Sequence, residues 1–259
     1  MDLRLSGRRA IVTGGSRGIG RAIARALLAE GVQVVIAARD ADVLKAAAAD
    51  LTAATGGTVL PVVADTGSDT SVQELVETTV SELGGVDILV NNAARPGGAG
   101  GPGGARALST ADVAADFNVK VLGYLRTAQA VAPHFIAQDW GRIINIGGLA
   151  ARQVGLASGS IRNVGVAALT KTLADELGAH GVTVNVVHPG LTLTGDHGGT
   201  VVVPDEYLQA AAARISIGRA VTADEVASVV AFLASPLAVA ITGESIAAAG
   251  GGTQGPIHY

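Results

Sequence analysis

Thr13-Gly14-Gly15-Ser16-Arg17-Gly18-Ile19-Gly20 stands between a β-rich run at 10–13 and an apolar helical stripe of Ile19, Ile23, Ala26 and Leu27 that stops at Gly31. The spacing has a physical reading. Gly14 permits a tight turn, Gly18 lets a pyrophosphate approach the backbone, and Gly20 allows the helix to pack close against the strand. A helix that starts directly behind such a turn offers free N–H groups and the positive end of its dipole to phosphate. Glycine spacing alone is a weak signal, and the strand before it and the helix after it are what make this one a dinucleotide cradle. Ser16, Arg17 and Ile19 share the turn and count with the glycines as its ligand-facing residues.

Outward from this unit the same alternation continues. Short Val/Ile/Leu runs at 32–38, 58–64, 86–90, 142–146, 183–187 and 244–248 read as strands covered on both faces. Between them the spacing predicts helices over about 41–54, 110–137, 160–179 and 205–214, and capping boxes at Ser71 with Glu74 and Thr222 with Glu225. Strand and helix in alternation make an α/β fold with a parallel sheet and helices on both faces. No linker or repeat divides the chain, so residues 1–259 form a single domain. Two stretches are irregular: the glycine-rich 97–104, and 191–217, a substrate loop by its place between a strand and the last long helix.

Composition narrows the function. A net charge of −4 and 3% aromatics leave no basic stripe or stacking platform, so no nucleic acid is expected as a partner. Zero cysteines exclude disulfides and thiolate chemistry, and the five histidines show no ligand spacing, so no metal is expected. The most apolar region, 226–241, is broken by Ser228, Ser235 and Pro236 and too short for a membrane span. A cytoplasmic protein with a small-molecule substrate is the expectation.

The second strand ends Ala38-Arg39-Asp40. A site for NAD holds the ribose 2′-hydroxyl with a carboxylate at the strand tip, and Ala38 supplies none. Arg39 and Arg17 instead set two guanidinium groups where a 2′-phosphate would lie, and Asp40 is suited to capping the next helix. NADP(H) is therefore favoured over NAD(H).

Further motifs follow in order: Asp65 after the third strand, Asn91-Asn92-Ala93-Ala94 after the fourth, Asn118 within a helix, Pro189-Gly190 with Thr194, Ile241-Thr242-Gly243, and Gly250-Gly251. With these and the turn at 13–20, the chain resembles the short-chain dehydrogenase/reductase family from about residue 5 to 252. The resemblance implies a Rossmann-type doubly wound sheet of seven parallel strands, and a homotetramer paired through the long helices at 110–137 and 160–179. It implies that Asp65 faces the adenine, Asn91 and Ala93 the ribose and sheet centre, and Pro189-Gly190 the nicotinamide, with Thr194 close by.

In that family a Ser, a Tyr and a Lys complete hydride transfer, supported by an Asn. The Tyr donates the proton, the Lys lowers its pKa, and the Ser polarises the carbonyl. Gly147-Gly148 follow the fifth strand where the Ser is due, with Gly148 at its position. The register set by Leu169-Thr170-Lys171 puts Gly159 and Asn163 at the Tyr and Lys positions, and only Asn118 matches. The wider Tyr spacing of enoyl reductases is not met by any of the three tyrosines. Asn118 could serve the proton relay or simply the helix. Ser160 could polarise a carbonyl or cap its helix. His188, directly before Pro189, offers an imidazole that titrates near neutrality or one merely bonded at a strand end. Arg162, His197 and Tyr207 are further candidates for substrate contact. The leading expectation is an NADP(H)-dependent oxidoreductase with an atypical proton donor, acting on a small carbonyl, alcohol or activated alkene. A non-redox lyase, isomerase or dehydratase on the same scaffold, or a catalytically silent cofactor-binding partner protein, are the alternatives.

Overall fold

A computed structural model describes residues 1–95, 104–152, 157–195 and 205–252. Seven strands lie in one parallel sheet: β1 (Arg9–Thr13), β2 (Gln33–Ala38), β3 (Val59–Val63), β4 (Ile88–Asn91), β5 (Gly141–Ile146), β6 (Val182–Pro189) and β9 (Ser245–Ala248). Their order is β3-β2-β1-β4-β5-β6-β9. The order reverses between β1 and β4, and ligands of such sheets bind at that switch point beyond the strand C-termini. The structure bears out the expected doubly wound fold.

Side chains alternate between the faces with the period of two that a strand imposes. Ala10, Val12, Val34, Ile36, Ile88, Val90, Ile144 and Ile146 enter one core, beneath α1 (Gly18–Ala29), α2 (Ala41–Thr55) and α8 (Ala223–Ala234). Ile11, Val35, Ala37, Leu89, Ile143 and Val184 enter the other, beneath α3 (Asp69–Leu83), α5 (Gly123–Ala137) and α6 (Ala157–Leu177). Both faces of the sheet are therefore sealed, and polar chemistry is left to its edges.

Three local expectations are corrected. The helix predicted over 110–137 is broken: α4 (Thr110–Phe117) passes through a π-helical turn, Asn118–Leu122, before α5 begins. Ser71 does not cap α3. Ser68 does, its oxygen accepting from the Ser71 N–H, while the Ser71 hydroxyl oxygen accepts from the Asp65 N–H. α6 starts at Ala157, so Ser160 lies inside its first turn and is not an N-cap. The box at Thr222 and Glu225 forms as expected. A second sheet of two residue pairs, β7 (Thr192–Leu193) with β8 (Val221–Thr222), is too short for any periodicity to announce. α7 (Asp205–Ala212) follows, inside the stretch read as a substrate loop. The glycine-rich 97–104 lies, apart from its last residue, outside the described residues; His197 and the Tyr207 side chain lie outside them entirely. No helix among the described residues is long and apolar enough to cross a membrane.

Candidate active site

The glycine turn is held by its neighbours before any ligand arrives. The Thr13 hydroxyl oxygen accepts from the N–H groups of Asn92 (3.0 Å) and Ala93 (3.1 Å), and the Asn92 amide donates to the carbonyls of Thr13 and Gly14 (3.0 and 3.1 Å). These bonds lock the tip of β1 to the tail of β4 across the switch point. Gly14 adopts φ +66° and Gly18 φ +54°, and a Cβ on Gly20 would collide with the Gly14 carbonyl oxygen. At Gly18 the nearest heavy atom to such a Cβ is the Thr194 methyl, 3.5 Å away, which brings Thr194 to the rim of the turn. Ser16 is buried and Ile19 packs partly into the core.

The N-terminus of α1 is open to an anion. α2, α3, α4 and α8 each receive a side-chain cap, whereas α1 has none and no acidic residue in its first turn. Its leading N–H groups and its dipole are thus left to a ligand. This cradle fits the pyrophosphate of a dinucleotide. At the tip of β2, Asp40 accepts from the N–H groups of Asp42 and Val43 and so caps α2. Arg17 and Arg39 are exposed and form no ion pair among the described residues.

Other residues of the expected cofactor set fall into place unevenly. Asp65 is half-buried, with one oxygen accepting from the Gly67 N–H. Asn91 is fully buried, and its amide is spent on Asn145, Thr127 and the Tyr124 carbonyl. Its side chain therefore belongs to the sheet centre and not to a ribose. Pro189 and Gly190 line a cavity of about 540 Å³ together with Gly148, Leu149, Leu191 and, from the turn after α7, Arg214.

The corner after β5 faces this cavity. A Cβ on Gly147 would overlap the His188 imidazole, and one on Gly148 would come within 2.8 Å of the Asn163 amide nitrogen. Asn163 is 3% exposed, and its Oδ1 has no hydrogen-bond partner. Gly159 is buried in the first turns of α6.

Asn118 acts on the helix. Its Oδ1 and its carbonyl both accept from the Arg126 guanidinium (2.9 and 3.1 Å), and Nδ2 donates to the Gly67 carbonyl (3.4 Å). Arg126 also pairs with Asp69, so one arginine holds the π-turn open. His188 is 1% exposed, and its Nδ1 accepts from the Gly148 N–H (3.0 Å). Burial, aided by the Arg152 charge, pushes its pKa down to about 4. The ring stays neutral at neutral pH, so the expected imidazole titrating there is corrected by its burial.

The depressed value has a consequence for stability. Between about pH 4 and 6.5 the unfolded chain binds the proton that the folded chain refuses, so stability conferred by neutral His188 is full above 6.5 and is lost as pH falls through 4. Urea midpoints measured across this range should fall more steeply for the wild type than for His188→Asn. Parallel curves would show that His188 titrates normally.

Four further groups, Asp116, Ser158, Arg162 and Lys120, meet where α4, the π-turn and α6 converge. Asp116 is 5% exposed and accepts on Oδ2 from the Ser158 hydroxyl (3.0 Å) and from Arg162 (2.8 Å). Lys120 is 5% exposed and donates from Nζ to the Gly147 carbonyl (2.9 Å). Burial, with the Arg162 charge adding to it, lowers the Lys120 pKa to about 7. No pattern in the sequence singles out a lysine two residues beyond Asn118; the fold alone brings it to the β5 corner.

Residues 14–253 match the family model described as enoyl-(acyl carrier protein) reductase. The 3-oxoacyl-(acyl-carrier-protein) reductase FabG of Aquifex aeolicus is 35% identical over 258 residues, covering 97% of this chain and 99% of that protein. Among solved structures, the NADPH-dependent reductase YwfH aligns with a TM-score of 0.86 at 28% identity, over 96% of this chain and 99% of its own. A 7α-hydroxysteroid dehydrogenase complexed with NADH aligns with a TM-score of 0.89 at 30% identity, over 98% and 97%.

Proposed function

Because this chain belongs to the short-chain dehydrogenase/reductase family, we propose that it binds NADP(H) and exchanges hydride with a small carbonyl or alcohol, or an activated alkene, using a proton donor other than the family's tyrosine. One observation carries the cofactor reading: the uncapped N-terminus of α1 behind the glycine turn, with Arg17 and Arg39 unpaired beside it and Asp40 withdrawn to cap α2. When bound, the nicotinamide supplies or takes the hydride. The chain's own part is to hold the phosphates at α1, to keep the reacting end near Pro189-Gly190, and to place a proton at the substrate oxygen. The relatives' 3-oxoacyl substrates make a 3-oxo ester or thioester the first carbonyl class to try. We place the protein in the cytoplasm as a homotetramer, on family resemblance.

Calorimetry with NADPH, NADP⁺ and NADH tests this. Micromolar NADP(H) binding with a clear preference over NADH is expected. Arg39→Asp should weaken NADPH by roughly 10- to 100-fold, as the loss of a charge-assisted hydrogen bond of about 1.5–3 kcal/mol does, and should favour NADH. An unchanged preference would overturn the 2′-phosphate assignment. A second reading rests on Gly148, Gly159 and Asn163, which replace three catalytic groups at once: a non-redox enzyme, or a silent partner protein that keeps the cofactor site. Tight NADPH binding with no turnover of any carbonyl or alkene would favour it.

A further inference from the structure

We propose that Lys120 is the proton donor of this site, its ammonium brought to the β5 corner by the π-turn between α4 and α5 rather than by α6. The inference deepens the oxidoreductase reading and rests on it. Space comes first. Gly148 and Gly159 carry no side chains, so neither brings a hydroxyl or a phenol to the corner, and the short Asn163 amide lies where a Gly148 side chain would be. The Lys120 Nζ arrives from the opposite helix, 2.9 Å from the carbonyl of Gly147, the residue before cavity-lining Gly148.

Charge comes second. Among the described residues the carboxylate that acts on Lys120 is Asp116, and its Oδ2 is already taken by Ser158 and Arg162. Among the described residues Lys120 forms no ion pair and donates one hydrogen bond, to the Gly147 carbonyl, from an ammonium with three N–H donors. Two cations, buried Lys120 and part-buried Arg162, against one carboxylate leave a positive surplus, and a surplus of that sign favours an oxygen on which negative charge develops. The orphaned Asn163 Oδ1 and Arg162 Nε show that polar groups at this corner await a partner.

Chemistry comes third. When the carbonyl carbon is reduced by a dihydronicotinamide, the C=O π pair moves to oxygen. An O–H bond then forms as a Lys120 N–H bond breaks, leaving a neutral amine that regains its proton from water. An amine with a pKa near 7 suits that exchange at neutral pH. The groups that face it are Asp116 from α4, Arg162 from α6 and His188 from β6, of which His188 is neutral. Tyr124, one turn along on α5, is held protonated by burial and donates to the Ile146 carbonyl.

The chain has three lysines, Lys45, Lys120 and Lys171, so protein labelled with ¹³Cε-lysine gives a spectrum of three signals, and Lys120→Met assigns the one of interest. The Lys120 signal should titrate near neutrality and should move when NADP⁺ and ethyl 3-hydroxybutyrate are added together. Lys120→Met and Lys120→Arg should bind NADPH like the wild type, which also reports that they fold. Both should reduce ethyl acetoacetate about 10²–10⁴-fold more slowly. A signal that stays in the ammonium form to pH 9 and ignores the ligands would overturn the proposal, as would a methionine variant within a few-fold of wild-type rate. Failure of the wild type to bind NADPH would instead sink the cofactor reading. In that case a Lys120 signal that titrates near neutrality and responds to ethyl acetoacetate alone would sustain its role as donor, and an unresponsive one would end that too.

Discussion

Gly20→Ala is expected to weaken NADPH binding by more than about 100-fold and to lower the unfolding free energy by about 2–4 kcal/mol, the range for overpacking combined with lost buried hydrogen bonds. A methyl group there would meet the Gly14 carbonyl oxygen and the Asn92 amide nitrogen. The first is backbone and cannot swing aside. Asn92 would have to release the Thr13 and Gly14 carbonyls, and with them the clamp between β1 and β4. The turn would open where the phosphates must sit. Calorimetric titration and urea unfolding of the same preparation measure the two losses separately. Wild-type affinity in this variant would mean that the turn contributes nothing to binding.

Asp116→Ala should be the most destabilising single change near the active site, by about 3–5 kcal/mol, the range for removing one partner of a buried ion pair. Arg162 and Lys120 would face each other without the carboxylate between them. For a chain of this size each kcal/mol moves the midpoint by roughly 2–4 °C, so thermal melting should fall by about 10 °C. The sign of the pH dependence is fixed by Lys120, whose folded pKa is lowered to about 7. Below that value both cations are charged and repel; above it Lys120 turns neutral and the defect should shrink. Melts at pH 6 and pH 9 measure the difference, and an equal loss at both would show that Lys120 carries no charge that Asp116 balances.

The fold was legible because its causes are local. The Val/Ile runs, the cap at Thr222 and Glu225, and the glycines at 14, 18 and 20 each act within a few residues of where they stand. The boundary errors are also local competitions. Ser68 and Ser71 offer similar hydroxyls, and the winner is decided by which one meets the Asp65 N–H. The form of the break at Asn118 depends on Arg126, eight residues on, reaching back to the Asn118 carbonyl.

The local structure around the glycine turn was likewise readable, down to Asp40 serving as the cap of α2. The reacting end was not. His188 was visible as a residue but not as a buried one, and burial is what takes its titration away from neutrality.

By itself the sequence determined a parallel α/β sheet and a glycine turn between its first strand and first helix. Those follow from period, spacing and residue type. Only the tertiary structure decided that Lys120 from the π-turn, Gly147 from β5 and Asp116, Arg162 and Asn163 from two helices share one corner. Their separations of 27 and 46 residues are closed by packing on the sheet, and no local pattern encodes a contact that the whole core must form to make.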